Sequence, residues 1–382
     1  MRNLWTKAGV FGSVSMAFGS MLWSQKNPDS DQASSPSGET DPSSSYELKL
    51  VQVLFRHGAR TPLKSIPDVM EAQWVPTLLE PPAHTQINYE VTDLNGGPRP
   101  PAPVEDSYRK NILSGGSFSG QLTTVGMQQL YELGKRLRTR YLRSMYALLI
   151  LAVPAKRKRN CAYIHNGLLK ILASHRWAES STLPDIAADL QSIQSALGIA
   201  AHQHIDFILI RDDMVARETH GLPCPSVLDT WRTKVEQRAV DMICHVYEPS
   251  KRENLQLCVG PLMHTMLANI EGKLQGTSSE PKRKLFLYSA HDTTLIPCLM
   301  ALGIFDMKWP PYAADITVEL HQHRQTNKPF VKVSYIDQDQ LIPGCSGVYC
   351  PLDEFKQVLS SYSLSSDLYQ SLCNSKEDST KP

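Results

Sequence analysis

The sequence predicts an α/β protein, and three observations predict it. Two apolar, partly β-branched runs, residues 46–55 (YELKLVQVLF) and 284–289 (KLFLYS), have the length and composition of strands buried on both faces of a parallel sheet. Each runs straight into a polar cluster that contains a histidine, RHGAR after the first and AHDTT after the second. Between and around them lie segments whose apolar residues recur every three or four positions, the spacing of one helix face.

The chain is long enough to bury a sizeable core. With 382 residues, 41% hydrophobic and 20% charged, it is expected to form one large domain with a substantial insertion, or two domains. Thirty-nine Lys and Arg against 38 Asp and Glu leave a net charge of +1. No overall basic field calls for nucleic acid and no acidic field for a cationic partner, so electrostatic recognition has to be local.

The first 28 residues hold Arg2, Lys7 and Lys26 but no acid, and are rich in Ser, Met, Trp and Phe. That composition reads as a mitochondrial targeting segment, with a secretory signal cut near residues 17–19 as the alternative. Its apolar stretch, residues 8–23, is broken by Gly and Ser and falls short of the roughly 20 residues a membrane span needs, so no transmembrane span is expected. Residues 29–45 are rich in Ser, Pro, Asp and Gly and hold no large apolar residue, so they cannot repay the entropy of ordering and are read as a disordered linker.

Past the first strand, Pro and Gly crowd residues 63–118, which are expected to be loop with short helical pieces. Thr123 or Thr124 can then cap a helix whose Leu130, Leu133, Leu137 and Tyr141 share a face, suited to packing on the sheet. The run MYALLILAV (145–153) fits a strand or a buried helix, and the basic residues 156–159 after it read as a solvated loop. Downstream, IAADLQSIQSALGI and TKVEQRAVDMICHVY have helical periodicity, with IDFILI between them read as a strand, together forming a mixed insertion. DITVELHQH and FVKVSYI read as two more strands, and LDEFKQVLSSY as a short helix.

In open α/β sheets ligands bind beyond the carboxyl ends of strands, so His57 and His291 converge if their strands are neighbours. The residues around them suit hydrolysis of a phosphate monoester without a metal. Such a group carries about two negative charges, and Arg offers a fork matched to its oxygens. Arg56 and Arg60 bracket His57, whose ring nitrogen can attack phosphorus, while the adjacent guanidiniums disfavour its protonated form. Gly58 would let backbone and phosphate approach closely. His291 adds a donor, and Asp292 can protonate the departing alkoxide and later activate water, with an acidic optimum if it begins protonated. An Arg-His dipeptide alone means little, and a lone His-Asp pair is more often a solvated turn; their joint placement at two strand ends is what points to a site.

FRHGARTP with a late AHD resembles the histidine acid phosphatase family. Longer strings, among them GGSFSGQLTTVGMQQL, EQRAVD, LYSAHDTTLIPCLMALGIFDMKWPPYAADITVELHQH and CPLDEF, resemble its branch that hydrolyses lysophosphatidic acid; the likeness covers about residues 47–141 and 185–375. The resemblance implies a three-layer, phosphoglycerate-mutase-like core sheet with a mainly helical cap. On it the domain spans 46–375, with cap insertions near 63–118 and 185–275 and a tail at 376–382. It implies turnover through a phosphohistidine with no metal or other cofactor: His57 as nucleophile, Arg56, Arg60 and His291 as phosphate contacts, Asp292 as proton donor. The branch implies a lysophospholipid substrate, monoacylglycerol as product and a mitochondrial setting, and a monomer is expected.

One departure stands out. The resemblance implies a further arginine, in an Arg-Ser-Thr motif between the LTTVG helix and the cap, but here the interval reads LRSMYALLILAVPAKRKRN. Arg143 and Ser144 keep two letters of the motif, and the interval looks shortened, as an altered exon would leave it. Losing one clamping guanidinium removes transition-state stabilisation. The alternative expectation is therefore a phosphate- or lysophospholipid-binding chain of impaired turnover. A second rival is a phosphate-transferring relative such as a mutase, which the Asp beside the second histidine disfavours.

The remaining motifs read as structural. His202 with His204 and His321 with His323 could share a strand face, yet neither pair has a third ligand at metal spacing, so no metal is expected. Glu218, His220 and Cys224 in ETHGLPC read as a structural loop before a pocket lining. Of eight cysteines only Cys345 and Cys350 lie close, as a local disulfide or two free thiols.

Overall fold

The computed structural model describes residues 45–86, 97–98, 107–142, 151–152, 175–247, 252–276 and 283–375. The chain divides into Met1–Asp41 and Pro42–Pro382, and every described residue belongs to the second unit. The expected targeting segment, the linker through Ser44, the basic loop at 156–159, Arg143 with Ser144 and the tail at 376–382 lie outside the described residues.

Among the described residues, seven strands form one mixed sheet: β1 (Tyr46–Arg56), β2 (Leu151–Ala152), β3 (Leu285–Ala290), β4 (Asp315–His323), β5 (Pro329–Tyr335), β6 (Gln338–Gln340) and β7 (Cys350–Pro351). The order is β2-β3-β1-β4-β5-β6, with β7 pairing β5. β1 and β2 run parallel to β3, whereas β4 is antiparallel to β1 and β5 antiparallel to β4. The sheet expected to be parallel is therefore parallel only on one side of β1. A crossover through helices is needed to return a strand in the same direction, and the short link from β4 to β5 allows only a hairpin.

Alternation along β1 builds three layers. Leu50 and Leu54 join the large cluster shared with helices α6 (Arg252–Gln275), α7 (Asp292–Ala301) and α8 (Leu352–Ser360), and Gln52 bonds Met266 and Asn269 of α6 on the same face. Val51 and Val53 turn the other way, onto Leu133, Leu137 and Tyr141. The first two of these belong to α1 (Thr124–Leu137), whose N-cap Thr123 accepts from the Gly126 amide, and Tyr141 lies in the π-turn Arg138–Leu142 that continues it. The apolar stripe read from the sequence is thus the stripe that meets the sheet.

The insertion is helical among the described residues: α2 (His175–Ser180), α3 (Pro184–Ala196), α4 (Phe207–Thr219) and α5 (Ser226–Tyr247). IDFILI is not a strand. Asp206 caps α4 by accepting from the Leu209 amide, and Phe207, Ile210, Arg211, Met214 and Arg217 are its buried face. A short apolar run cannot separate a strand from the start of a buried helix; the capping aspartate decides it here. α9 (Ser366–Ser375) completes the described chain. Cys345 and Cys350 form a disulfide, with Cα atoms 5.2 Å apart. None of the described helices is long and apolar enough to cross a membrane.

Candidate active site

The parallel pairing of β1 with β3 sets Arg56 opposite Ala290. The next residue of each strand is a histidine, and the rings of His57 and His291 stand 5.4 Å apart. His57 is fixed by its backbone, its amide donating to the Ala290 carbonyl at 3.2 Å and its carbonyl accepting from the Ala313 amide at 3.1 Å. Its Nδ1 lies 2.8 Å from the Gly58 carbonyl. A carbonyl only accepts, so Nδ1 carries the proton and Nε2 keeps the lone pair.

Gly58 admits a close backbone neighbour. A Cβ there would meet the Gly126 carbonyl oxygen at 2.1 Å, and a Cβ on Gly126 would meet that of Ala59 at 2.0 Å. The pair lets the first turn of α1 press against the nucleophile loop, where Ala59 donates to Gln129 Oε1 at 2.8 Å and accepts from the Thr123 amide at 3.0 Å.

Arg56 is 2% exposed and gripped on two sides. One terminal nitrogen donates to Asp292 Oδ2 at 2.7 Å, the other to the Pro310 carbonyl at 2.6 Å, and Cζ sits 4.4 Å from the centre of the Tyr312 ring. Its Nε is buried with no hydrogen-bond partner among the described residues. Asp292, the first residue of α7, also accepts from the Trp309 indole N–H at 2.9 Å and from the Thr293 amide at 2.8 Å. Burial opposes its ionisation, but Arg56, the Trp309 bond and Arg60 outweigh burial and hold this carboxyl well below the usual carboxylate range. A protonated Asp292 at the outset is therefore not what the unliganded site provides. Burial first, then Arg60 and Arg56, depress His57 to about 3. Both shifts favour a neutral imidazole beside a carboxylate throughout the mildly acid range.

Arg60 is held from the helical insertion. Asp212 on α4 grips it in a two-toothed pair, at 2.9 and 3.2 Å, and accepts from the Leu63 amide at 2.8 Å. The structure thus brings all five predicted residues, Arg56, His57, Arg60, His291 and Asp292, to one end of the β1–β3 pair. Sequence reasoning missed Trp309, Asp212 and Gly126. Trp309 stands 17 positions beyond Asp292 in an apolar string, and no spacing rule links them; Gly126, at the start of a well-capped helix, was the one legible signal, since glycine there weakens a helix unless something comes close.

The other motifs stay apart from this site. Glu218 pairs with Arg232, and His220 closes α4 with Nε2 2.8 Å from the Thr123 hydroxyl. Cys224 is half-buried and its thiol is pushed up to about 11 by burial. His202 and His204 lie in the turn before α4 and share no strand face. His321 contacts Glu319 at 2.8 Å, and no group of three metal-binding side chains occurs among the described residues.

A neutral imidazole with a free Nε2, two guanidiniums and a carboxylate gathered at one end of a strand pair are the parts of a phosphoryl-transfer site. The family profile of the histidine phosphatase superfamily (branch 2) matches residues 47–157 and 233–336, more than half the chain. The chain belongs to that superfamily and is a phosphatase. The enzyme is 38% identical to lysophosphatidic acid phosphatase type 6 of Bos taurus over 371 residues, 86% of each chain. To the type 6 phosphatase of Mus musculus it is 36% identical over 414 aligned positions, 97% of this chain and 98% of the relative. Those positions outnumber the 382 residues here, so the mouse protein carries residues with no counterpart in this one. Among solved structures, the multiple inositol polyphosphate phosphatase of Bifidobacterium longum in complex with inositol hexasulfate superposes with a TM-score of 0.52 at 11% identity, covering 87% of this chain and 96% of that one. The Hafnia alvei phytase in complex with tartrate gives 0.50 at 15%, covering 85% and 99%. These two likenesses concern the fold: an α/β core of the histidine phosphatase type with a mainly helical cap.

Proposed function

We propose that the enzyme hydrolyses lysophosphatidic acid to monoacylglycerol and phosphate through a phosphohistidine on His57. The observation that carries the mechanism is the tie between His57 Nδ1 and the Gly58 carbonyl, which leaves Nε2 as an unprotonated nucleophile between Arg56 and Arg60. The phosphate dianion is received by these guanidiniums, with the unpartnered Nε of Arg56 among the donors, and by His291. Its charge offsets the field that keeps Asp292 ionised, so the carboxyl takes up a proton as substrate binds. Nε2 then attacks phosphorus, the ester P–O bond breaks, and Asp292 gives its proton to the departing oxygen. In the second half Asp292 takes a proton from water, whose oxygen attacks phosphorus and breaks the N–P bond, releasing phosphate and regenerating both groups.

The lipid substrate rests on the similarity to relatives named for it, and on a groove of about 670 Å³ beside the site. Pro82, Val125, Gln129, Leu133 and Arg136 line it, and it reaches the site at Tyr312, whose ring is 6.0 Å from that of His57. Such a volume suits a small amphipathic ligand. The alternative of a phosphate- or lysophospholipid-binding chain with impaired turnover is not favoured, because the similarity to named phosphatases runs through both halves of the site. A mitochondrial destination is proposed from the acid-free first 28 residues; these fused to a fluorescent protein should direct it to mitochondria, and secretion would reject the reading.

The test of mechanism is phosphate release from lysophosphatidic acid with a rapid acid-free quench of ³²P-labelled substrate. Protein-bound label that is lost in acid and stays in alkali is expected, and neither label nor turnover in His57→Ala. Turnover without any labelled protein would reject the phosphohistidine; turnover of simple phosphate esters but not of lysophosphatidic acid would reject the substrate.

A further inference from the structure

Asp292 Oδ2 is shared by two donors of different kinds. Arg56 approaches it at 2.7 Å and the Trp309 indole N–H at 2.9 Å. Arg56 also holds the carbonyl of Pro310, the residue after Trp309, so Arg56, Asp292 and the 309–310 backbone close a ring of contacts. The indole is braced from its other side: Arg211 of α4 lies 4.8 Å over its ring and is itself paired with Glu236 of α5 at 2.6 Å. Trp309 is 8% exposed, so its N–H is dry and its bond to a carboxylate correspondingly strong.

The two donors differ in what substrate does to them. A phosphate dianion competes for Arg56, whose guanidinium is the nearest cation to Asp292 and sits beside the nucleophile. An indole N–H has no charge to lend and is turned to Asp292 Oδ2. We propose that Trp309 is the positioning residue of the proton donor: its indole N–H anchors Oδ2 when the substrate phosphate engages Arg56, so that the carboxyl stays directed at the leaving oxygen. The Glu236–Arg211–Trp309 stack carries this anchor from the helical insertion to α7. This rests on the proposed donor role of Asp292.

The charged and titratable groups facing Asp292 are Arg56, His57 and Arg60 at the end of β1, Tyr247 from α5 and Tyr312 beside Arg56. None of them replaces the bond from Trp309, which stabilises the ionised carboxyl. Removing that bond raises the pH at which Asp292 loses its proton. The alkaline limb of activity, where the acid is lost, then moves to higher pH.

The test is Trp309→Phe, which keeps an aromatic ring under Arg211 and deletes the N–H, assayed with an alkyl phosphate and with p-nitrophenyl phosphate. The alkyl ester needs a proton on its leaving oxygen and nitrophenolate does not. Expected are a fall in kcat of about tenfold for the alkyl ester, about twofold or less for the nitrophenyl ester, little change in KM, and an alkaline limb displaced upward by up to about one pH unit. Equal loss for both esters with an unmoved limb would overturn the proposal. Asp292→Asn runs alongside: if it too lacks leaving-group dependence, the donor role of Asp292 has failed; if it has that dependence and Trp309→Phe does not, only the role of Trp309 has failed. Should Trp309→Phe not fold, indole N–H resonances of the otherwise unaltered ¹⁵N-labelled enzyme decide. One resonance should move in Asp292→Ala and, in the unaltered enzyme, stay hydrogen-bonded under saturating inorganic phosphate; no indole resonance responding to Asp292→Ala, or that resonance losing its bond with phosphate, rejects the anchor.

Discussion

Gly58 and Gly126 meet backbone to backbone, a side-chain carbon on either lying within 2.1 Å of a carbonyl oxygen of the facing segment. The obstacle is backbone on both sides, so no rotamer change relieves it. We expect Gly126→Ala and Gly58→Ala each to lose about 1–3 kcal/mol of stability, as overpacking does, and to lose activity out of proportion, because α1 would push Ala59 and with it His57. Urea unfolding and kcat on p-nitrophenyl phosphate check this. An alanine variant of native stability and rate would show that the loop can shift freely.

The same pair illustrates what a sequence can say. His57 and His291 were legible because each ends a strand-like apolar run, and the period of two in β1 and of three to four in α1 reports which face is buried. Polar contacts across the molecule leave no such period. Asp212 looks like any surface acid of a helix, yet it grips Arg60; Trp309 looks like core, yet its N–H serves Asp292. The run IDFILI failed for a related reason: without its partners, a six-residue apolar stretch has the hydrophobicity of a strand and of a helix start alike. Sheet direction was half legible, since parallel pairing among β1, β2 and β3 needs long connections, whereas the short link from β4 to β5 closes a hairpin.

Arg60 and Asp212 form a pair with side chains 11% and 16% exposed. Arg60→Ala should therefore do two separable things: leave a nearly buried carboxylate unpaired, at a cost of about 3 kcal/mol, and weaken phosphate binding. Adding Asp212→Asn in the same chain should restore most of the stability and none of the affinity for inorganic phosphate. Thermal unfolding and competitive inhibition by phosphate measure the two. Recovery of affinity in the double variant would mean that Arg60 acts on phosphate only by neutralising Asp212.

His57, depressed to about 3 from an ordinary 6.5, ties stability to pH. Between those values the unfolded chain binds a proton that the folded one refuses, so the unaltered enzyme loses stability as pH falls through that window. His57→Asn lacks this loss, and the two should diverge by about 3 kcal/mol by pH 4. Saturating inorganic phosphate should narrow the gap, because an anion beside the imidazole favours its charged form. Urea unfolding at stepped pH tests it; parallel curves for the two proteins would mean that His57 is not held neutral by its surroundings.

Glu319 of β4 acts in a lower window and by a different route. It is 3% exposed and receives Tyr141 Oη at 2.6 Å, His321 Nε2 at 2.8 Å, Arg140 at 3.2 Å and Lys332 at 3.3 Å. Burial alone would raise this carboxyl; His321, Lys332, Tyr141 and Arg140 together outweigh it and bring the group down to about 2 from 4.5. Its stabilising contribution is complete above pH 4.5 and is lost as pH falls toward about 2. Because Tyr141 and Arg140 belong to the turn that ends α1, the network also fixes the far end of the helix whose near end presses on His57. Glu319→Gln should therefore cost about 3 kcal/mol at neutral pH, with the deficit against the unaltered enzyme shrinking below pH 4.5, where the His57 variant gap is still growing. Opposite pH trends in the two variants are the signature that separates a buried acid tying α1 to the sheet from a neutral imidazole at the site. A Glu319→Gln deficit that stayed constant from pH 7 to pH 3 would mean that Glu319 contributes shape rather than charge.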